Sequence, residues 1–343
     1  MLFMREKQNK KTTKISVIGA GSWGGTIAWH ISKRHKVNLW TVSQSEYLEL
    51  TKNKKLIRPI KVKINKNIYV TKDLNFIAKN SDLIIFAVPA SVFKQTAIRL
   101  KKLSISKKVI LLSATKGIIK EKEFTPSLVL KKCFKNNPIA VLSGPNIALD
   151  IILKSPVISV VASKNIVAAK AIQNILSTEE FRVYTNNDII GVEISGALKN
   201  IIAIASGMCD GFGYNISSKA ALISRGLIEM ARIAVKQGAQ TKTLLSSACI
   251  GDLIATSCST NSRNYRVGYG LSKGKKLNQI LKELGQVAEG IDTAKSVYYL
   301  TKKHKIYAPI TTGVYNVVAK NHNPKSELKK LLKTKPAKDE LNI

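Results

Sequence analysis

Cysteine is scarce here and badly spaced for pairing or for metal binding. Its four thiols, Cys133, Cys209, Cys249 and Cys258, contain no C-x-x-C pair. Histidine is equally thin, and His30, His35, His304 and His322 show no H-E-x-x-H or similar spacing. Zinc sites and disulfide frameworks need such spacings to bring ligands or sulfurs together. The reading is a reduced chain with no structural metal. No run of 18 apolar residues occurs, and no apolar segment of signal-peptide length follows the basic start MLFMREKQNKKTTK. The chain is therefore expected to be unsecreted and cytoplasmic, without stable membrane insertion.

Acid is the second shortage: 21 Asp and Glu face 56 Lys and Arg, a formal net charge of +35. Such an excess can mark a nucleic-acid partner, because clustered cations displace the counterions of phosphates. Here only nine of the basic residues are arginine, and they are spread from Arg5 to Arg266. The lysines accompany many Ile and Asn residues, as in a bias that fills exposed positions with Lys. No nucleic-acid partner is expected, and the positive field favours an anionic small-molecule substrate.

What is present is a core large enough to divide. With 343 residues and 45% hydrophobic content, two domains are the starting expectation. The first half alternates β-branched runs with amphipathic stretches, the pattern of βαβ units in a parallel sheet. Candidate strands are KISVIG at 14–19, VNLW at 37–40, LIIFAV at 83–88, VILLSA at 109–114, IAVLSG at 139–144 and VISVVA at 157–162. Helices are predicted at 22–33, 90–102, 124–134 and 165–177. After about residue 188 only helical patterns continue, at 188–207, 218–237, 277–283 and 290–303. The predicted division is a basic tail at 1–13, a dinucleotide-binding unit at 14–187, a helical substrate and catalytic unit at 188–325, and a charged tail at 326–343. The end of the chain, from Lys320, reads as a solvated helix or frayed end. With no linker between the two units, a cleft is expected where they meet.

GAGSWG at 19–24 follows the first strand and opens the first helix. That is the context of a dinucleotide fingerprint, in which the glycines allow a tight turn, close approach to the pyrophosphate and tight helix packing. The pyrophosphate would lie on the helix N-terminus. NAD sites usually have an acid after the second strand, yet Thr41-Val42-Ser43 stand there, and no arginine is present for a 2′-phosphate. The choice between NAD and NADP stays open.

Three further places carry charge where charge needs a reason. Lys199 is the single charge in ISGALKNIIAIASGMC, a stretch apolar on every side, so its ammonium either snorkels or sits buried with a depressed pKa suited to proton transfer. Asn200 beside it offers a donor and an acceptor. Lys116, after the strand VILLSA, stands where ligands of open α/β sheets bind, and can also be an ordinary loop lysine. Asp252 and Thr256 of GDLIAT precede Ser262-Arg263-Asn264, an arginine flanked by polar groups that suits a phosphate or, equally, a capped helix start.

In order along the chain, GAGSWG, ATKG, SGPN, GALKN, GDL, SRN and GQVAEG resemble glycerol-3-phosphate dehydrogenases of the bacterial type, from about Lys14 to Lys320. The resemblance implies a Rossmann-type N-terminal domain and an all-α C-terminal domain similar to that of 6-phosphogluconate dehydrogenase. It implies hydride transfer between NADH or NADPH and a triose phosphate, interconverting dihydroxyacetone phosphate and sn-glycerol 3-phosphate for phospholipid synthesis, in a homodimer. Lys199 would be the catalytic lysine, with Lys116 and Asp252 beside it. Substrate contacts would come from Lys116, Gly144, Asn146, Lys199, Asn200, Asp252, Thr256, Ser262, Arg263 and Asn264. Gly19, Gly21, Ser22, Trp23, Gly24, Lys116, Ala148, Arg263, Val287 and Glu289 would meet the cofactor.

Two departures stand out. Asn146 replaces the family's usual Thr or Ser after SGP and is followed by Ile147 in place of an aromatic. Val42 stands where many relatives carry a basic residue, which weakens the case for NADP. The rival readings are a related two-domain dehydrogenase of a 6-phosphogluconate or 3-hydroxyacyl substrate, a basic nucleic-acid-binding protein, and an inactive relative.

Overall fold

The computed structural model describes residues 13–119 and 125–332. Its strands are β1 (Ile15–Ile18), β2 (Val37–Trp40), β3 (Lys55–Leu56), β4 (Val62–Lys63), β5 (Ile68–Thr71), β6 (Leu83–Phe86), β7 (Ile110–Ser113), β8 (Ile139–Ser143), β9 (Val157–Ser163) and β10 (Phe181–Asn186). Eight of them form one sheet in the order β10-β9-β8-β7-β6-β1-β2-β5, and β3 and β4 pair separately. All four residues of β1 and of β6 are buried, as strands covered by helices on both faces must be.

From β5 to β8 the order is that of a doubly wound dinucleotide-binding sheet, with strand order reversing between β1 and β6. Such a reversal opens a crevice at the carboxyl ends of the strands. The expectation of a wholly parallel sheet is corrected at one place: β8 and β9 are antiparallel, with Val141 opposite Ala162. The chain between them makes only the short helix Ala148–Ile152 and does not cross over the sheet before β9 returns. Beside the two-residue strands β3 and β4, two strands of the large sheet were not predicted. β5 is short and set among lysines, whereas β10 alternates buried Phe181 and Val183 with exposed Arg182 and Tyr184, a period-two pattern that was legible.

Beyond β10 the described chain is helical. Asp188 caps the helix Ile189–Gly211, its side chain accepting from Gly191 N at 2.9 Å. This helix is long and apolar enough to cross a membrane, but it is almost entirely buried inside the protein. The helices Ile216–Lys236, Asp252–Cys258, Arg263–Ser272 and Glu289–Lys303 pack around it. A Cβ on Gly268 would overlap the Ile204 carbonyl, and one on Gly207 would overlap that of Tyr265. These two glycines let the helix Arg263–Ser272 lie against the central helix backbone to backbone, which brings Arg263 toward Lys199.

Most of the basic tail expected at 1–13 and of the charged tail expected at 326–343 lies outside the described residues, but the helix before residue 333 is less solvated than its charge suggests. Within the helix Pro324–Leu332, Glu327 is buried and accepts from Asn316 Nδ2 at 3.0 Å and from His322 Nδ1 at 2.9 Å.

Candidate active site

The glycine turn is built by sterics. Gly19 has φ +110°, and a Cβ there would come within 2.6 Å of the Ala87 carbonyl oxygen. A Cβ on Gly24 would overlap the Gly19 carbonyl and press the Ala87 side chain at 2.9 Å. Neither glycine lines the cleft; both lie beneath it and set the turn. Gly21 does line it, with nothing within 4 Å of a Cβ placed there and no side chain capping the helix Ser22–Ser32 that follows. The first N–H groups of that helix therefore have neither intrahelical nor side-chain partners, which fits a pyrophosphate. Trp23 is fixed beside them by a bond from Nε1 to the Ala114 carbonyl at 3.0 Å.

Across a cleft of about 430 Å³, the helical half supplies the polar groups. Lys199 is 5% exposed, so the snorkelling alternative is excluded. Its Nζ donates to Asp252 Oδ1 and, at 2.7 Å, to Thr256 Oγ1. Asp252 opens its helix directly after a π-helical turn at Ser247–Gly251. Gly251 passes so near Pro145 that a Cβ would lie 3.3 Å from its ring, and this close approach carries the carboxylate to the strand ends.

There Lys116 meets it. Lys116 Nζ donates to Asp252 Oδ2 at 2.9 Å, to the Gly144 carbonyl at 2.8 Å and to Asn146 Oδ1 at 2.6 Å. It is thus no ordinary loop lysine. Gly144, at φ +141°, does not line the cleft and contributes through its backbone. Asn146 is itself held, donating from Nδ2 to Ser159 Oγ at 2.6 Å. The departure from Thr or Ser is accommodated, because the amide both accepts from the lysine and donates to the neighbouring strand. Asn200 Nδ2 donates to the Lys116 carbonyl at 3.1 Å and locks the two lysine-bearing segments together.

The electrostatics follow from burial. Desolvation pulls Lys199 down to about 7, with the Asp252 charge opposing and the Lys116 charge assisting. For Asp252 burial favours the neutral acid, yet Lys116 and Lys199 outweigh it and hold the carboxyl below its usual range. A buried ammonium poised near neutrality can give or take a proton at physiological pH.

The third wall carries the phosphate candidates. Ser262 caps the helix Arg263–Ser272, and Arg263 Nη1 donates to the Val287 carbonyl at 2.7 Å. Asn264 Oδ1 accepts from Gly290 N at 2.9 Å, and Glu289 Oε1 accepts from Ala90 N at 3.1 Å across the cleft. Burial lowers the Arg263 pKa, the Glu289 carboxylate opposing and Arg58 adding to the shift. Ala148 lines the same cleft near the glycine turn.

Sequence reasoning missed Ser143, whose hydroxyl faces Asp252 Oδ2 at 3.3 Å, and the cleft residues Pro59, Asn261, Arg266 and Gln286. Pro59, Asn261 and Gln286 belong to connecting segments with no periodicity to read, so only the tertiary contact reveals them.

Known proteins resemble this chain over nearly its whole length. The family model described as NAD-dependent glycerol-3-phosphate dehydrogenase N-terminus matches residues 14–169, and its C-terminal counterpart matches 188–329. A glycerol-3-phosphate dehydrogenase (NAD(P)+) from a Thermoanaerobacter species is 38% identical over 330 residues, covering 96% of this chain and 99% of that protein. One from a Nostoc species is 37% identical over 321 residues, covering 93% and 96%. The crystal structure of glycerol-3-phosphate dehydrogenase from Coxiella burnetii superimposes with a TM-score of 0.91 at 32% identity, over 94% of this chain and 99% of that one. With both halves matched and near-complete coverage of its relatives, the chain belongs to the NAD-dependent glycerol-3-phosphate dehydrogenase family.

Proposed function

We propose that this protein interconverts dihydroxyacetone phosphate and sn-glycerol 3-phosphate with a nicotinamide dinucleotide, in the cytoplasm, and so supplies sn-glycerol 3-phosphate for phospholipid synthesis. The observation that carries the reading is the Lys199–Asp252–Lys116 cluster lying in one cleft with the glycine turn and Arg263. When bound, the dinucleotide supplies or accepts a hydride at C4 of its nicotinamide ring.

In the reduction direction negative charge develops on the C2 oxygen of the triose. Lys199 stabilises that charge and hands over its proton, and Asp252 orients the ammonium and retains it in a site where burial disfavours charge. Lys116 adds positive potential without leaving its own three acceptors. Thr256 fixes Lys199 from the other side. Arg263, with Ser262 and Asn264, takes the substrate phosphate and spends remote binding energy on geometry. Ser22, Trp23, Ala148, Val287 and Glu289 are assigned to the dinucleotide.

The units proposed are 14–187 and 188–325, supported by a sheet that ends at Asn186 and a capped helix that begins at Ile189. A homodimer is proposed for the assembly, supported by the exposed apolar side chains of Ile216 and Leu245 on the helical unit; sedimentation equilibrium tests it. The reaction is tested by steady-state assay of dihydroxyacetone phosphate with NADH and NADPH in parallel. No turnover with either dinucleotide would overturn it.

A further inference from the structure

The end of β2 shows no acid in sequence, but the structure brings one there from the next helix. Gly19 N donates to the Trp40 carbonyl at 2.9 Å, so the last residue of β2 lies directly beside the glycine turn. A dinucleotide whose pyrophosphate rests on that turn places its adenosine ribose at this strand end. The residues that follow are ill suited to a ribose. Thr41 is buried, Val42 is exposed and apolar, and the Ser43 hydroxyl accepts from Glu46 N at 3.2 Å.

Glu46 occupies the vacant role. Ser43-Gln44-Ser45-Glu46 has the spacing of a capping box, in which the glutamate would turn back to the Ser43 N–H. That N–H donates instead to Thr41 Oγ1 at 3.1 Å. The carboxylate reaches past it, and its Oε2 accepts from Thr41 Oγ1 at 2.8 Å. Its Oε1 has no hydrogen-bond partner among the described residues. Glu46 lines a small depression with Ala20 of the glycine turn, Leu50, Leu56, Ile57 and Arg58.

We infer that Glu46 binds the adenosine ribose hydroxyls and selects NAD over NADP. One anchored carboxylate oxygen sets the angle and the other accepts from the ribose. A 2′-phosphate at the same place would face that carboxylate, and like charges so placed are strongly disfavoured. Arg58 lines the same depression but is exposed and has no hydrogen-bond or ion-pair partner among the described residues. The inference rests on the proposed reaction only in taking a nicotinamide dinucleotide as the ligand of the glycine turn.

Isothermal titration of the protein with NAD+ and with NADP+, without triose, reads this independently of turnover. The parental protein is expected to bind NAD+ at least tenfold more tightly. Glu46→Gln keeps an oxygen for Thr41 but removes the charge, and should reduce the NAD+ to NADP+ affinity ratio at least tenfold. A purely structural Glu46 would lower thermal stability and weaken both dinucleotides alike, overturning the inference. So would a parental preference for NADP+, or a ratio that Arg58→Ala shifts and Glu46→Gln does not. A readout on the parental protein needs no variant: adenosine 5′-diphosphate should displace NAD+ at lower concentration than its 2′-phosphorylated form, and the reverse order would count against Glu46. Failure to bind either dinucleotide would sink the proposed reaction as well.

Discussion

Lys116 and Lys199 hold opposite oxygens of a single carboxylate, that of Asp252. One lysine comes from the loop after β7 and the other from the middle of the central helix, so the ion cluster ties the sheet to the helical half at the proposed site of chemistry. A buried carboxylate between two ammonium groups leaves a net positive charge, which suits an oxygen that becomes negative during reduction.

Removal of Lys199, the proposed proton donor, should be seen mainly in turnover. Lys199→Ala is expected to lower kcat by a factor on the order of 10² to 10⁴, the usual worth of positioned acid–base catalysis. NADH affinity, measured by fluorescence titration, should change little. A folded variant with near-parental kcat would refute the role.

The same lysine sets a pH dependence. Because burial lowers its pKa to about 7, Lys199 is charged below that pH and neutral above it. Triose reduction, which uses the charged form, should fall as pH rises through 7, while glycerol 3-phosphate oxidation should rise. Asp252 opposes the downward shift, so Asp252→Asn should move both limbs to lower pH by about one unit or more. Limbs that stay in place would assign the titration elsewhere.

Arg263 is expected to matter only for substrates with a phosphate. Truncating one partner of a half-buried guanidinium–phosphate pair costs roughly 2 to 4 kcal/mol. Arg263→Ala should therefore reduce kcat/KM for dihydroxyacetone phosphate about 30-fold to 1000-fold. Dihydroxyacetone, a poor substrate for the parental enzyme, should be hardly affected by the change. Equal losses on both would move the phosphate site, first to Lys116.

A stability signature comes from Glu193, buried on the central helix. Its Oε1 accepts from Ser127 N at 2.8 Å, and its Oε2 meets the Ser127 hydroxyl. Burial pushes its carboxyl from 4.5 to about 7, the Ser127 bonds opposing. Between those values the folded chain keeps a proton that the unfolded chain has released. This contribution is complete below pH 4.5 and is lost as pH rises through 7. Glu193→Gln mimics the protonated form, so urea midpoints measured from pH 4.5 to 8 should fall less in the variant, by the equivalent of about 3 kcal/mol. Parallel curves would show that Glu193 does not titrate in this range.

The glycine turn should tolerate no side chain beneath it. Gly24→Ala forces a methyl against the Gly19 carbonyl and the Ala87 side chain, an overpacking worth about 1 to 3 kcal/mol. Lower thermal stability and weaker dinucleotide binding are expected together. An unchanged Kd would mean that the turn does not carry the pyrophosphate.

Local order determined much of this protein in one dimension. GAGSWG after KISVI announces a strand, a turn and a helix start, because glycines are needed wherever backbones touch. Lys199 was legible because a lone charge amid apolar residues on every face of a helix has nowhere to go but inward. β10 is equally readable from its alternation. Only the tertiary structure decided which side chains answer one another. Nothing local to Lys116 separates it from the chain's many exposed lysines until Asp252 arrives, and Asn146 looks like a defect until Lys116 and Ser159 supply its partners. The acid sought at the end of β2 is supplied by Glu46, whose capping-box spacing points to a different bond. Each of these depends on contacts between segments far apart in the chain or on a side chain choosing between two donors, and neither is encoded in periodicity or spacing.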